Sequence, residues 1–358
     1  MKKKDLRLAA ALVLPGLLMV LFALLQGHEN IMDRWVYGVM GPVEQVLGRV
    51  WSVVPFSMAE VLCVVAIAGG LGLLVSGIAA MLRRRWGRAA RRILTLMAAV
   101  LWLLAGLDWL WNASYYAGGF ARRSGMEVRP CSVEELASVT ADFAQLASEY
   151  ACRVERDAAG RFAVSDGECL DRGVQVYNGI GAEFPFLDIG PVRAKPLVCS
   201  RLQSILGFTG IYFPFTGEAN VNVDAPACLL PATIAHEMAH QRMVAAEQEA
   251  NFVGIAACVT GGDELFAYSG YLMGLIHLSN ALYRVDPQRW QAIRSQFGPE
   301  LLADWQENNA YWAALASPVE QAAGQAYDAF LKGNDQTMGL QSYGACVDLL
   351  VNWWGKRQ

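Results

Sequence analysis

Three apolar runs dominate the first third of the chain, from Leu6 to Leu25, from about Met58 to Leu82 and from about Ile93 to Trp111. A run of about 20 apolar residues is long enough to cross a bilayer core, so the pattern predicts membrane helices at about 6–25, 58–82 and 93–111. Beyond them the pattern changes. Ser132-Val133-Glu134-Glu135 has the Ser-x-x-Glu form of a capping box and predicts a helix to about Tyr150. Residues 152–165 read as a hairpin turning at Asp157-Ala158-Ala159-Gly160. Residues 184–190 are loop-like, and a helix follows near Pro196–Leu206. The stretch Gly210–Val223 is dense in aromatic and β-branched residues and predicts two short strands turning at Thr216-Gly217. Pro214 argues for an edge position there, because proline cannot donate to an inner ladder. From Pro231 the pattern is helical almost to the end.

The basic residues set the expected topology. Lys2, Lys3, Lys4 and Arg7 open the first run, and Arg83, Arg84, Arg85, Arg88, Arg91 and Arg92 separate the second from the third without an intervening acid. Short loops rich in Lys and Arg stay in the cytoplasm. Residues 26–57 and everything after about residue 112 are then expected outside, with Trp109, Trp111, Tyr115 and Tyr116 as an aromatic belt. The first run also resembles a signal peptide, but it is long and no small-x-small cleavage pattern follows Leu25, so retention as an anchor is expected. For 26–57, with Trp35, Tyr37, Trp51 and Phe56, a helix along the membrane surface and a cap over the outer domain both fit. The division is a membrane domain, 1–116, and an extracytoplasmic domain, 117–358.

Composition agrees with that reading. The chain is 54% hydrophobic and 17% charged, too apolar for an ordinary soluble domain. Its net charge of −4 implies no polybasic nucleic-acid face, and the arginine block suits anionic lipid head groups. Cys63 falls in the second run. The other seven cysteines (Cys131, Cys152, Cys169, Cys199, Cys228, Cys258 and Cys346) fall in the outer part, where disulfides are permitted but their pairing is not legible. No C-x-x-C spacing supports a cysteine zinc site.

The informative chemistry is His236-Glu237-Met238-Ala239-His240. Histidines at i and i+4 share a helix face and reach one Zn2+ ion, while the glutamate between them is placed to take a proton from a water that zinc has acidified toward a pKa of about 7. The chain has only four histidines, His28, His236, His240 and His277, so chance placement of two in this frame is on the order of a few in a thousand. Surface histidines are the bland alternative. The apolar approach Leu229–Ala235 weighs against them, because it would bury the face. A third ligand is expected from Ala246-Glu247-Gln248-Glu249-Ala250-Asn251-Phe252. Glu247 and Asn251 share a face, so Glu247 is favoured as the ligand with Asn251 supporting it, and Glu249 is the alternative. A donor to the oxyanion is sought among Tyr268, Tyr271, His277 and Tyr343. Tyr343 is placed in the catalytic set with Glu237, although tyrosines and apolar-helix histidines are more often core residues.

Glu247-x-x-Ala250-Asn251 resembles the Glu-x-x-Ala-Asp element that follows HExxH in membrane-bound zinc proteases of the prenyl-protein-protease group, with Asn251 where that pattern has aspartate. Gly210–Asn222, His236–Arg242 and Glu247–Phe252 together resemble a bacterial family defined as a domain of unknown function, with three N-terminal spans and an outer, gluzincin-like HExxH domain. The resemblance implies a zincin-like α+β domain and zinc ligands at His236, His240 and Glu247. It also implies a glycine after the His-Gln-Arg, where this chain has Met243. In zinc peptidases of this broad class an edge strand beside the HExxH helix holds the substrate extended. Glu218, Asn220 and Asn222 would then lie on its rim, or the two strands are a plain structural hairpin.

The expected fold class is therefore mainly α, with a small sheet in a zincin-like domain after three transmembrane helices. The expected function is a membrane-anchored zinc metallopeptidase acting outside the bilayer on a peptide or protein substrate. A metallopeptidase-like sensor, a non-catalytic binding domain and a zinc amidase of cell-wall material are the alternatives.

Overall fold

The computed structural model describes residues 3–334 and 343–357. Its first part is three long helices, Lys3–Leu25, Met58–Leu82 and Trp86–Leu110, the last prolonged by a tight turn at Asn112–Tyr116. All three are long and apolar enough to cross a membrane. The middle one leaves Val61, Val64, Val65, Ile67, Leu71 and Leu74 exposed. A helix apolar on all sides and uncovered by protein needs an apolar solvent, which marks a membrane protein. The third helix packs against both others. It begins earlier than the apolar run predicts, because Arg88, Arg91 and Arg92 continue the helix. Arginine is a good helix former, and a hydropathy boundary does not register a charged first turn. An exposed ion pair of 3.2 Å between Asp5 and Arg91 places the start of the first helix and the arginine-rich turn at one end of the bundle.

The opposite end is aromatic. The Trp109 indole donates to the Leu18 carbonyl at 3.1 Å, the Trp35 indole donates to the Trp109 carbonyl at 2.7 Å, and Phe22 meets Trp109 edge-on. Between the first two apolar helices the chain forms a helix Glu29–Trp35, one wider turn Val36–Met40 and a helix Gly41–Trp51. Of the two readings open for this segment, the packing favours the cap. Gly41–Trp51 lies on the sheet and on the helix Leu230–Gln241. Gly48 and Gly217 approach so closely that a Cβ on Gly48 would stand 2.6 Å from the Gly217 carbonyl oxygen.

The C-terminal part is helical around a small sheet. Ser132 caps the helix Val133–Ala151 and Glu135 completes the capping box. The hairpin expected at 152–165 shrinks to a single antiparallel bridge, Arg156 to Phe162. The Asp157 carboxylate accepts from the main-chain N–H of Ala159 and Arg161, so the turn is satisfied locally and no ladder extends from it. The helix near Pro196–Leu206 is a short one, Ser200–Ile205. Three strands form one sheet: β1 (Lys195–Pro196), β2 (Gly210–Phe213) and β3 (Glu218–Val221), in the order β1-β3-β2. β3 is central, parallel to β1 and antiparallel to β2, with Ile211 opposite Asn220. Pro214 falls in the turn, and β2 is the edge. From Leu230 onward the described chain is almost all helix, and its core gathers Ile234, Met238, Phe252, Ile255, Phe266 and Leu275. All eight cysteines are free thiols, with Cys169, Cys228, Cys258 and Cys346 buried.

Candidate metal centre

The helix Leu230–Gln241 carries Pro231 in its first turn, where the missing N–H costs nothing. It packs against β2 and β3 and against the helices Glu247–Thr260 and Glu264–Val285. All its residues except His236 are buried. The next helix crosses it very closely, since a Cβ on Gly254 would stand 2.9 Å from the His236 main-chain nitrogen. That close crossing brings Glu247, at the start of the second helix, up to both histidines.

The helix stops in a Schellman motif. The Val244 N–H donates to the Ala239 carbonyl and the Met243 N–H to the His240 carbonyl. This motif needs a left-handed residue, and Met243 supplies it at φ 59°. That explains the glycine which the family resemblance leads one to expect at this position. The reversal also turns the Val244 carbonyl onto Nδ1 of His240 at 2.7 Å. Nδ1 therefore donates, and Nε2 is left with a lone pair.

Nε2 of His236 stands 3.4 Å from one Glu247 oxygen, and Nε2 of His240 stands 3.8 Å from the other. Ligand atoms of all three residues lie within 4.8 Å of one another. Corners of a tetrahedron with bonds of about 2.0–2.1 Å are about 3.3 Å apart, so a small ion fits with minor side-chain movement. Burial lowers His240 to about 4 and keeps it neutral. Burial also opposes charge on His236, but the facing Glu247, helped by Glu237 and Asn251, outweighs it and raises that histidine. Glu247 is held below the usual carboxylate range, because His236, His240 and Tyr327 outweigh its burial.

Glu237 points to the sheet. A Cβ on Gly210, at the start of β2, would stand 2.4 Å from a Glu237 carboxylate oxygen, so a side chain there would have to displace Glu237. The other oxygen is buried without a hydrogen-bond partner, and burial raises the group to about 8.

The remaining candidates fall in several places. Glu249 turns away and accepts from the N–H groups of Phe120 and Ala121 at 2.7 and 3.1 Å, capping the short helix Phe120–Ser124. Tyr268 lies in a buried network with Asp304 and Arg156, and Tyr271 packs among Phe143 and Tyr150. His277 is buried on the helix Glu264–Val285, lowered to about 4 by burial and by the neighbouring His236 charge. Tyr343 opens the last helix, and its side chain lies outside the described residues. Glu218, Asn220 and Asn222 belong to no rim, because β3 is central and all three are buried. Glu218 instead takes the Lys195 ammonium at 2.6 Å and the Ala59 N–H at 2.9 Å, capping the second apolar helix. Asn222 donates to Ser204 and to the Phe208 carbonyl.

Two residues at the centre escape sequence reasoning. The Tyr327 hydroxyl donates to Glu247 at 2.5 Å, and the Trp111 ring meets the His240 ring edge-on at 5.5 Å. Tyr327 sits in an ordinary amphipathic helix, Pro318–Gly333, with no local signal. Trp111 carried a signal, but as a residue of the aromatic belt.

A family model described as a protein of unknown function (DUF3810) matches residues 36–351. No curated protein and no solved structure matches the chain.

Proposed function

The chain belongs to this DUF3810 family, whose description carries no activity, and we propose from the site itself that it is a membrane-anchored zinc metallopeptidase with a zincin-like catalytic part. The observation that carries the reading is the close meeting of two imidazoles and one carboxylate, with ligand atoms within 4.8 Å of one another, and a buried carboxyl group one residue along the same helix. Neutral imidazole and carboxylate are the donor set zinc prefers when it hydrolyses amides. Among the described residues no thiol joins the cluster.

His236, His240 and Glu247 would hold the ion. Zinc bound there would polarise a peptide carbonyl and acidify a water. Glu237 takes the proton from the attacking water and returns it to the leaving amine. The Val244 carbonyl fixes the His240 ring, and Tyr327 fixes Glu247. The positive-inside rule supports a cytoplasmic arginine-rich end, and in this proposal the site then faces the outer side, at the aromatic end of the helix bundle.

The test uses the full chain in detergent, with zinc content measured alongside cleavage of a peptide library. His236→Ala and His240→Ala are expected to abolish zinc retention and Glu247→Ala to lower it sharply, while Glu249→Ala leaves it intact. Glu237→Gln should keep the zinc and lose about 10²–10⁴-fold in rate. Equal cleavage by the wild type and Glu237→Gln would end the peptidase reading.

A further inference from the structure

The β2–β3 hairpin connects the centre to the membrane helices. At one end of β2, Gly210 lies against the Glu237 carboxylate. At the other end the turn is seated on two apolar helices at once. A Cβ on Gly106 of the third helix would stand 2.7 Å from the Phe215 ring, and Glu218 caps the second helix through the Ala59 N–H. β2 is four residues long, about 10 Å at about 3.3 Å per residue. A chain lying along it from Glu237 therefore reaches the level of the spans within a few residues.

The free edge of β2 suits such a chain. Among the described residues the sheet ends at β2. Its pairing with β3 follows antiparallel alternation, with Asn222 donating to the Thr209 carbonyl and Ile211 facing Asn220. Main-chain groups of Gly210 and Tyr212 then point away from β3, toward the side on which an added strand would pair, with Gly210 half-buried and Tyr212 buried. The Ile211 side chain is 44% exposed. Trp111, at the end of the third helix, touches both Tyr212 and His240, so β2 and the metal-centre helix both rest on a residue that ends a membrane helix.

Resting on the peptidase reading, we infer that the substrate is the extended juxtamembrane segment of a membrane-anchored polypeptide, paired to the edge of β2 and cut a few residues outside the bilayer.

The test reconstitutes the full zinc-loaded chain in phosphatidylcholine vesicles. The probes are lipopeptides, each an acyl anchor, a Gly-Ser spacer of 3, 10 or 20 residues and a randomised segment, alongside the same segments unanchored. Anchoring alone concentrates any substrate at the membrane, so the direction of the spacer dependence is decisive. A site close to the bilayer is expected to cut the shortest spacer at least tenfold faster than the longest. N-methylation of alternate amides in the best segment should lower the rate at least tenfold in one register and little in the other. A rate that rises with spacer length, or that matches the free peptide, overturns the juxtamembrane substrate while leaving the peptidase standing. Indifference to N-methylation in both registers overturns pairing to β2. Cleavage of neither anchored nor free segments by zinc-loaded protein overturns the peptidase reading and this inference with it.

Discussion

The His-Glu-x-x-His spacing was legible in the sequence because it is local, as helix periodicity alone puts His236 and His240 on one face. The face shared by Glu247 and Asn251 was legible for the same reason. Contacts made by folding were not legible, such as the Tyr327 hydroxyl on Glu247. Met243 lies between these cases. Its left-handed backbone costs a side-chain-bearing residue roughly 1–2 kcal/mol. Its side chain, however, is buried with Phe22, Met32, Val36, Met40 and Tyr212. Truncating a buried methionine costs about 2–5 kcal/mol, so packing outweighs strain and the methionine is the better residue here. Met243→Ala keeps the strain and loses the packing, whereas Met243→Gly loses the packing and relieves the strain. Thermal unfolding of the two variants in detergent should find glycine more stable than alanine by about 1 kcal/mol. That is the reverse of their order inside a helix, and a glycine variant less stable than the alanine variant would remove the strain argument.

Among the elements, those defined by short-range rules came through best. The capping box at Ser132 and the apolar helices form as their sequences predict. The 152–165 hairpin failed because Asp157 satisfies the turn by itself, and nothing beyond it rewards a longer ladder. The helix Gly41–Trp51 was ambiguous because its role depends on what it meets, and its docking leaves a clear electrostatic mark. Glu44 is fully buried and accepts from the Tyr212 hydroxyl at 2.5 Å, and burial, opposed only by that bond, raises it from 4.5 to about 8. Below pH 4.5 the group is protonated in both folded and unfolded chains and has no effect on stability. As pH rises from 4.5 toward 8 the unfolded chain loses this proton and the folded chain keeps it, so stability falls across that window and levels off above it. The loss could reach a few kcal/mol. Glu44→Gln keeps an acceptor for Tyr212 without the titration. Unfolding midpoints from pH 4 to 9 should coincide for the two proteins at the acid end and favour the variant increasingly up to about pH 8. Parallel profiles would show that Glu44 ionises normally.

At the scale of the molecule, the apolar pattern separated a membrane part from a helical part at about residue 116, yet the contacts that shape the site cross that line. Trp111 touches His240. Lys195 donates to the carbonyls of Trp51 and Phe56 as well as to Glu218. Met243 and Tyr212 are buried against Phe22 of the first helix and Met32, Val36 and Met40 of the segment after it, and Tyr212 also meets Trp111 at the end of the third. Composition shows where a chain changes solvent, but it carries no information about which surfaces meet afterwards. Each large apolar side chain uncovered by removing residues 1–116 forfeits roughly 1.5–3 kcal/mol, and a folded domain has only about 5–15 kcal/mol in total. Uncovering the buried Met243 and Tyr212, together with the half-buried Phe215, uses a large part of that margin. Residues 117–358 produced alone are therefore expected to aggregate, or to unfold at a much lower temperature and bind zinc at least tenfold more weakly than the full chain in detergent. Size-exclusion chromatography, thermal unfolding and zinc titration on both forms check this. A stable monomeric fragment with undiminished zinc affinity would mean that the membrane helices anchor the site without helping to build it.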